Sequence, residues 1–447
     1  MKESGMQTVP SRALGLTVAL SVLLIAAGVA WRVAGGGRPL RESVSVGWKH
    51  GGSRSMLPQA RSSGGPDGER GGGSGKIGAA GAGLELEPLD APGAIPGEAL
   101  LTFRTARALE LFRERANRGG FTVLGVEPRL RTVRVRFGDP ASLAADWAEH
   151  AEDYERFGPN YLARIPGLPV GETGRESRPD SANEGGRRPF ESQGLESIGA
   201  AGDRSRWGKG VTVAVVDSGI GSHPSLAGVE IRHIDLLRDG AEINGHGTAM
   251  ASLIAGRDAG VGGVAPAATL LDIRVADADG MSNTALLASG MVKAVDLGAR
   301  IINISLGTDG YSAMLVEAVR YAQARNVVIV AAAGNEQQTV LALPAALPGV
   351  LSVGAVDAGG KQAWFSNSGE GLTLVAPGVG IVSGYTGGRL VIGSGTSQAT
   401  ALASGAVASL MSRGYSAAAI VPLLVRAAKP LEGPRAAVGA GLLQLPR

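Results

Sequence analysis

Short uncharged and mostly hydrophobic runs occur at residues 211–216 and 327–333, and each ends at a turn rich in glycine and small polar residues. Such runs are typical of strands that are buried on both faces of a parallel sheet. A longer run at residues 398–411 has no charge and many alanines. It predicts a buried helix, so the second half of the chain is expected to form an α/β domain.

A different pattern precedes these runs. It predicts a strand at residues 98–103, a helix at 106–117, two strands within 121–137, a second helix at 142–154 and a last strand at 159–165. This β-α-β-β-α-β order is a known compact unit. We therefore expect residues 96–166 to form a small α+β domain of their own.

The rest of the chain divides by composition. Residues 13–31 are uncharged and apolar, which predicts either a membrane anchor or a cleaved export signal at residues 13–34, after a short tail at 1–12. Residues 35–95 are rich in glycine and predict a disordered tether. Residues 167–198 are polar and predict an exposed linker, which leaves residues 199–447 for the α/β domain.

Composition excludes some function classes. The 447 residues are 44% hydrophobic, enough for a sizeable core, and the formal net charge is only +3 with scattered basic residues. Nucleic acid is therefore not an expected partner. The chain has no cysteine, which excludes disulfides and thiolate metal sites without indicating a compartment. Nothing in the composition indicates an oligomeric state.

Three polar residues in glycine-bordered turns suggest chemistry. Asp217 ends the first hydrophobic run, His246 precedes an apolar small-residue stretch, and Ser397 begins the predicted buried helix. A serine hydroxyl needs a base to become nucleophilic, and an imidazole base needs a partner to fix its tautomer. Asp217, His246 and Ser397 fit these roles, while the Ser397 N–H and the side-chain amide of Asn335 are candidate oxyanion donors.

Each of these residues also has a simpler interpretation. Asp217 and Ser397 are residue types that cap helices or form turns, and Gly334-Asn335 is an ordinary turn sequence. The G-x-G at Gly219 and Gly221 is shared with dinucleotide-binding loops, but the third glycine of that motif is replaced by Pro224. The order of all the segments together favours the nucleophilic site.

That order resembles the subtilisin family of serine peptidases, the subtilases, in which the acid, the base and the nucleophile follow one another in this sequence. Other segments agree with the family: His223-Pro-Ser-Leu226, Gly263-Val-Ala-Pro266, Ile302-Asn-Ile-Ser-Leu-Gly307, Phe365-Ser-Asn-Ser-Gly369 and Ala376-Pro-Gly378. The resemblance implies a three-layer α/β fold with a mostly parallel sheet. It also implies a serine endopeptidase that cuts extended polypeptide segments through an acyl-enzyme.

The resemblance extends to binding and regulation. It implies that Ser305, Leu306 and Gly307 pair with the substrate main chain, and that Ala332, Ala333 and Gly334 line the pocket for the residue before the cleaved bond. Residues 96–166 resemble a subtilase propeptide, which implies a self-inhibited zymogen that cuts itself in the linker. The enzyme is then expected outside the cytoplasm, either anchored at the membrane by its N-terminal segment or exported.

The chain also departs from the family pattern. Gln398 and Ala401 stand where relatives usually have methionine and proline, and Ser225 replaces an aspartate that binds calcium in many relatives. That calcium site is therefore expected to be absent, and no metal or cofactor is predicted. The alternative function is a catalytically silent subtilase-like peptide-binding protein. A sedolisin-type peptidase is disfavoured by His246 and Asn335, and an α/β-hydrolase by Ala399.

Overall fold

The computed structural model describes residues 88–166, 188–258 and 260–446. The predicted N-terminal tail, the anchor or signal segment, most of the tether and linker residues 167–187 lie outside these ranges. Within the ranges, no helix combines the length and apolar character that crossing a membrane requires. The prediction for residues 13–34 is therefore not addressed by the structure.

The small domain has the predicted order of strands and helices. Its sheet is antiparallel, with the strand order β2-β3-β1-β4. Its elements are β1 (Ala94–Phe103), α1 (Ala106–Arg115), β2 (Phe121–Glu127), β3 (Thr132–Phe137), α2 (Pro140–His150) and β4 (Tyr154–Arg164). The α+β prediction is confirmed, although β1 begins inside the predicted tether.

The second helix was predicted too far along the chain. It begins at Pro140 because the side chain of Asp139 accepts a hydrogen bond from the Ala141 N–H and caps the helix, and proline is well suited to the first helical position. It ends at His150, before residue Tyr154 begins β4. The prediction extended the helix into this strand.

The small sheet is buried on both faces. Along β1, Ala99, Leu101 and Phe103 belong to the small domain's own core. The intervening Leu100 belongs to the core of the large domain. Since successive strand residues point to opposite faces, one face of the sheet covers helices α1 and α2, and the other packs on the large domain.

The large domain is built on a seven-stranded parallel sheet with the order β12-β11-β10-β9-β5-β7-β6. Its strands are β5 (Thr212–Asp217), β6 (Ile231–Asp235), β7 (Thr269–Arg274), β9 (Ile301–Ile304), β10 (Val328–Ala332), β11 (Leu351–Val356) and β12 (Leu374–Pro377). The chain winds from β5 toward β6 on one side and from β9 toward β12 on the other. In such sheets the ligand crevice lies at the carboxyl ends of the strands beside this reversal, where Asp217 lies.

Helices flank this sheet, which confirms the predicted three-layer α/β fold. They are α3 (Gly194–Ser197), α4 (His246–Ala255), α5 (Thr284–Asp296), α6 (Ala313–Gln323), α7 (Thr396–Ser412), α8 (Ala417–Ala427) and α9 (Arg435–Val438). Every residue of α7 from Thr396 to Leu410 is buried. Its many alanines and serines let the helix lie deep in the core, which fixes the position of Ser397.

Three short strands of the large domain lie outside the parallel sheet: β8 (Met281–Asn283) and the hairpin strands β13 (Ile381–Tyr385) and β14 (Arg389–Gly393). The predicted exposed linker extends to residue 198, but its last residues, 188–198, pack on the large domain. Phe190 and Ile198 are buried in the large core, and the Phe190 N–H donates to the Val379 carbonyl. Apolar side chains in an otherwise polar stretch explain why residues 188–198 pack instead of remaining exposed.

Candidate active site

Asp217 is the last residue of β5 and is fully buried. Its carboxylate oxygen Oδ1 accepts hydrogen bonds from the Ser218 N–H at 2.8 Å and from the Ser218 hydroxyl at 3.1 Å. Buried carboxylates are costly unless they are hydrogen-bonded. The turn after β5 therefore supplies the partners that keep this carboxylate fixed at the edge of the sheet.

His246 is the first residue of α4, and its imidazole faces Asp217. Nδ1 lies 2.8 Å from Oδ1 and 3.0 Å from Oδ2 of Asp217. A carboxylate at this distance favours the tautomer with the proton on Nδ1, which leaves Nε2 as the acceptor. The adjacent Gly247 permits this approach, because a Cβ there would lie 2.4 Å from the Gly219 carbonyl oxygen.

Ser397 is the second residue of α7. Its hydroxyl donates to the Ser305 carbonyl at 3.3 Å, and among the described residues no hydrogen bond joins it to His246. The structure thus pairs the predicted base with its carboxylate, while the predicted nucleophile is turned toward β9. The Ser397 N–H lies in the first turn of the helix and has no partner within the helix.

Asn335 follows β10 and contacts the start of the same helix. Its side-chain oxygen accepts from the Thr396 N–H at 3.0 Å and from the Thr396 hydroxyl at 2.8 Å. These two bonds fix the orientation of the amide, so that Nδ2 faces the side of Gly395. Two N–H donors, from Asn335 and from the Ser397 backbone, are therefore available next to the serine.

A pocket of about 250 Å³ adjoins this site. Four of the six predicted substrate-binding residues line it, namely Leu306, Gly307, Ala332 and Gly334, and Ala342 lines it as well. The other two, Ser305 and Ala333, are buried and do not line it. The Ser305 carbonyl accepts a hydrogen bond from the Ser397 hydroxyl, and the Ala333 N–H donates a hydrogen bond to the Val353 carbonyl.

Two residues that shape this pocket, Glu336 and Asn367, were not predicted from the sequence. Glu336 lines it, and the fully buried Asn367 accepts from the Glu336 and Gln338 N–H groups and donates to the Glu336 carboxylate. A Cβ at Gly334 would lie 2.2 Å from the Asn367 amide nitrogen, so the Asn367 side chain can occupy this position only because residue 334 is glycine. The segment Phe365-Ser-Asn-Ser-Gly369 was the available signal for this role.

A further layer of polar groups supports the turn after Asp217. Asp272 on β7 accepts from the Ile220 N–H at 3.0 Å and lies 2.8 Å from Nδ1 of His233. The hydrogen bond with Asp272 raises the pKa of His233 above its ordinary value, against the opposing effect of partial burial. This pair thereby links β6 and β7 to the turn that carries the site carboxylate.

The end of the small domain lies in the groove of the large domain. β4 pairs antiparallel with β8, with Leu162 opposite Asn283 and Arg164 opposite Met281. On its other side, the Arg164 N–H donates to the Gly307 carbonyl and the Gly307 N–H to the Arg164 carbonyl, both at 3.0 Å. Pro166 reaches the pocket that Ala332 and Gly334 line. The sequence predicts a strand at the end of the small domain, but it does not predict that this strand pairs with β8 and Gly307.

No group of three or more histidine, cysteine, aspartate or glutamate side chains suited to a metal ion occurs within the described ranges. Ser225, which stands at the calcium-binding position of relatives, bonds instead to His223, with Oγ 2.7 Å from Nδ1. The absence of the family's calcium site stays a prediction, because Ala259 in the nearby loop lies outside the described residues.

Comparison with known proteins agrees with this geometry. The sequence profile described as the subtilase family matches residues 208–441, more than half of the chain. The chain belongs to the subtilase family. The family places this subtilase among serine-type endopeptidases. The match covers the positions of Asp217, His246, Asn335 and Ser397.

Individual relatives of this subtilase are moderately similar. The thermophilic serine proteinase of Bacillus sp. (strain AK1) is 37% identical over 240 residues, which is 52% of this chain and 60% of that protein. Subtilisin BL of Lederbergia lenta is 39% identical over 221 residues, which is 47% of this chain and 79% of that protein.

Among solved structures, fervidolysin from Fervidobacterium pennivorans, described as a keratinolytic enzyme related to subtilisin, has a TM-score of 0.67 at 26% identity. The likeness covers 81% of this chain and 62% of fervidolysin. The subtilase thus spans less than two thirds of the length of fervidolysin and of the Bacillus proteinase.

Proposed function

We propose that this subtilase hydrolyses extended polypeptide segments and is made as a zymogen that its own residues 94–166 inhibit. The observation that carries the proposal is the strand-like position of residues 162–166 between the two edges of the groove, with Pro166 at the pocket that Ala332 and Gly334 line. The pairing uses main-chain groups at Gly280, Gly307 and β8, which bond to any extended segment whatever its sequence. An extended substrate fits the same place.

The arrangement of the site supports an acyl-enzyme mechanism. Ser397 attacks the carbonyl carbon as its proton passes to His246 Nε2, and Asp217 stabilises the resulting imidazolium. The negative oxygen is stabilised by the Asn335 amide and the Ser397 N–H. The carbon–nitrogen bond then breaks as His246 returns the proton to the nitrogen, and water later releases the acyl group. Attack requires the Ser397 hydroxyl to turn from Ser305 toward His246.

The proline at the end of the bound segment supports inhibition. In an antiparallel ladder that pairs Arg164 with Gly307, residue 166 lies opposite residue 305. Pro166 has no N–H to donate to the Ser305 carbonyl, and the Ser397 hydroxyl donates to that carbonyl instead. The bound segment therefore leaves the nucleophile directed away from its base. Self-cleavage is then expected after Pro166 and before the packed residues at 188.

Polar contacts hold the small domain in this place. The side-chain oxygen of Asn160, which is fully buried, accepts from the Thr284 hydroxyl and from the Ala285 N–H at the start of α5. Its nitrogen donates to the buried Glu98, which is also bound by Arg134 and Arg136. The likeness to fervidolysin covers 81% of the chain, more than residues 188–446 contain, and so supports a small domain that belongs to the enzyme.

We also propose that the protein is exported, on the basis of the apolar segment at residues 13–31 and of the subtilisins among its relatives. A retained anchor at residues 13–34 would place the uncut protein at a membrane. In that case cleavage between residues 166 and 188 would release the catalytic domain, since the anchor lies on the other side of the cut.

The test treats purified full-length protein with a serine-reactive fluorophosphonate probe and determines the N-terminus of the product. We expect the unaltered protein to be labelled and to begin between residues 167 and 188. Ser397→Ala should remain full length and unlabelled, and its peptidase activity should fall by about 10⁶-fold, the size of the loss when the same residue is removed from subtilisin.

Ser409→Ala is the matched control, because Ser409 lies on the same buried helix, away from the site. It should be labelled and processed like the unaltered protein. Ser397→Ala protein that is still processed in the purified sample would contradict self-cleavage. Unaltered protein that binds peptides but is never labelled would favour the silent peptide-binding alternative.

A further inference from the structure

Gln398, the residue after the proposed nucleophile, has a buried polar atom that its surroundings do not satisfy. The side chain is only 8% exposed, and its oxygen Oε1 accepts no hydrogen bond from any described residue. Buried acceptors without a partner are rare because they lose their hydration without compensation. The oxygen is enclosed in this structure, and a small rotation of the side chain would present it to a substrate group beside Ser397.

Two glycines make the space for this amide. A Cβ at Gly395 would lie 2.7 Å from Gln398 Oε1 and 3.1 Å from Asn335 Nδ2. A Cβ at Gly393 would lie 2.6 Å from Gln398 Nε2. The amide thus extends from the proposed oxyanion donor toward strand β14, and a side chain at either glycine would displace it.

The amide does not belong to the part of the groove that residues 162–166 occupy. That part is lined by Leu306, Gly307, Ala332 and Gly334, and Gly393, Gly395 and Gln398 are not among its lining residues. In the proposed mechanism it holds the acyl part of a substrate. The leaving part of the substrate continues past Ser397, where the Gln398 amide adjoins the oxyanion donor.

We infer that Gln398 Oε1 accepts a hydrogen bond from the N–H of the peptide bond that is being cut, and so makes the site select amides over esters. The inference rests on the proposed peptidase function. As the Ser397 oxygen bonds to the carbonyl carbon, the leaving nitrogen becomes pyramidal and its lone pair turns toward the proton on His246. Its own N–H must then point elsewhere and needs an acceptor. An ester oxygen carries no hydrogen and gains nothing from Gln398.

The test compares two substrates that share one acyl peptide, one with a peptide leaving group and the other with an alkyl ester. The ratio of kcat/KM for the amide to kcat/KM for the ester is measured in the mature enzyme, since both constants report the acylation step. We expect Gln398→Leu to lower the amide constant about 10-fold and the ester constant less than 2-fold. Gln398→Asn keeps the amide group but shortens the side chain by one methylene, and it should lower the amide-to-ester ratio of kcat/KM by a similar factor.

Two further variants serve as controls. Gln398→Glu keeps an acceptor, so its amide-to-ester ratio should stay within about 2-fold even if its charge slows both reactions. Gln323→Leu makes the same chemical change at the last residue of helix α6, where the side chain donates to the Pro348 carbonyl, and should leave both constants unchanged.

Equal losses on both substrates in Gln398→Leu and Gln398→Asn would overturn the inference, as would an unchanged amide constant in either variant. Failure of the peptidase proposal would be seen separately, because the unaltered enzyme would then cleave neither substrate.

Discussion

The two domains fill their cores in different ways. The small domain holds five of the chain's seven phenylalanines, together with Trp147 and Tyr154, in one cluster around Phe112. The large domain's core is aliphatic, rich in alanine and valine, and its buried phenylalanines are Phe190 and Phe365. A domain of about 70 residues has little interior, so a few large rings must supply most of the buried area.

The large domain has a different constraint. Its helix α7, which carries the proposed nucleophile Ser397, lies against strands β9 to β12 and helix α4, and it can do so only because small residues face its neighbours. Close backbone packing holds Ser397 and Asn335 in fixed positions. The ring cluster of the small domain contains none of the proposed site residues and serves only to stabilise that domain. The difference predicts that removing a ring destabilises the domain that contains it, and that adding a methyl group to a packed helix destabilises the large domain.

Removing a ring should have the largest effect on stability. Phe112 is fully buried, and its ring centroid lies 5.1 Å from that of Phe103 and 5.6 Å from that of Phe121. In the Ser397→Ala protein, Phe112→Ala should lower the free energy of unfolding of the small domain by about 3–5 kcal/mol. Hydrogen exchange at the amides of β1 and β3 measures this loss.

Phe365→Ala is the counterpart in the large domain, since Phe365 is also fully buried and packs edge-on against Trp364. It should cost a similar amount but accelerate exchange in β10 and β11 before β1 and β3. If either substitution accelerated exchange equally in both domains, the two cores would be one cooperative unit and the comparison would fail.

Adding a methyl group in place of a glycine hydrogen should destabilise the large domain more than the small domain. A Cβ at Gly405 on α7 would lie 2.6 Å from the Val264 Cβ, whereas a Cβ at Gly125 on β2 would meet nothing within 4 Å. Gly405→Ala should destabilise the large domain by about 1–3 kcal/mol, because the overlap exceeds the gain in helix propensity. Gly125→Ala should change stability by less than about 0.5 kcal/mol. Thermal unfolding of the two variants tests this, and equal shifts would contradict it.

The sequence was sufficient for much of this architecture. Runs of uncharged residues predicted the buried strands and α7. The glycine-bordered turns around Asp217, His246 and Ser397 indicated three residues that the fold brings to one edge of the sheet. Helix ends were less accurate where a cap decides them, as at Asp139-Pro140. A local sequence pattern does not show which strand will pair with another. The pairing of β4 with β8 and Gly307 could therefore be seen only in the structure.

In the site as well, local sequence patterns predicted some residues, while other features depend on tertiary contacts. Asn335 was predicted from its position after a strand, but the bonds from Thr396 that orient its amide depend on how α7 meets β10. Asn367 and Glu336 lie 31 residues apart in the chain and meet only in the loop around Gly334. Gln398 was noted as a departure from the family, yet its unpartnered oxygen depends on the glycines at 393 and 395.

The smallest expected effect is a pH dependence that belongs to the small domain. Burial opposes ionisation of Glu98, but hydrogen bonds from Arg134, Asn160 and Arg136 outweigh it and hold its pKa below the ordinary value of 4.5. A carboxylate with a depressed pKa stabilises the folded state above the unfolded-state pKa, and this contribution is lost as the pH falls through the folded-state pKa.

In the Ser397→Ala protein, lowering the pH from about 5 to 3 should therefore reduce the melting temperature of the small domain by a few degrees more than in the same protein with Glu98→Gln, which has no carboxylate to titrate there. The comparison cancels other carboxylates that titrate over the same range. Identical pH profiles would mean that the Glu98 cluster does not link the small domain's stability to pH. A larger loss in Glu98→Gln than in the parent would reverse the sign and contradict a depressed pKa.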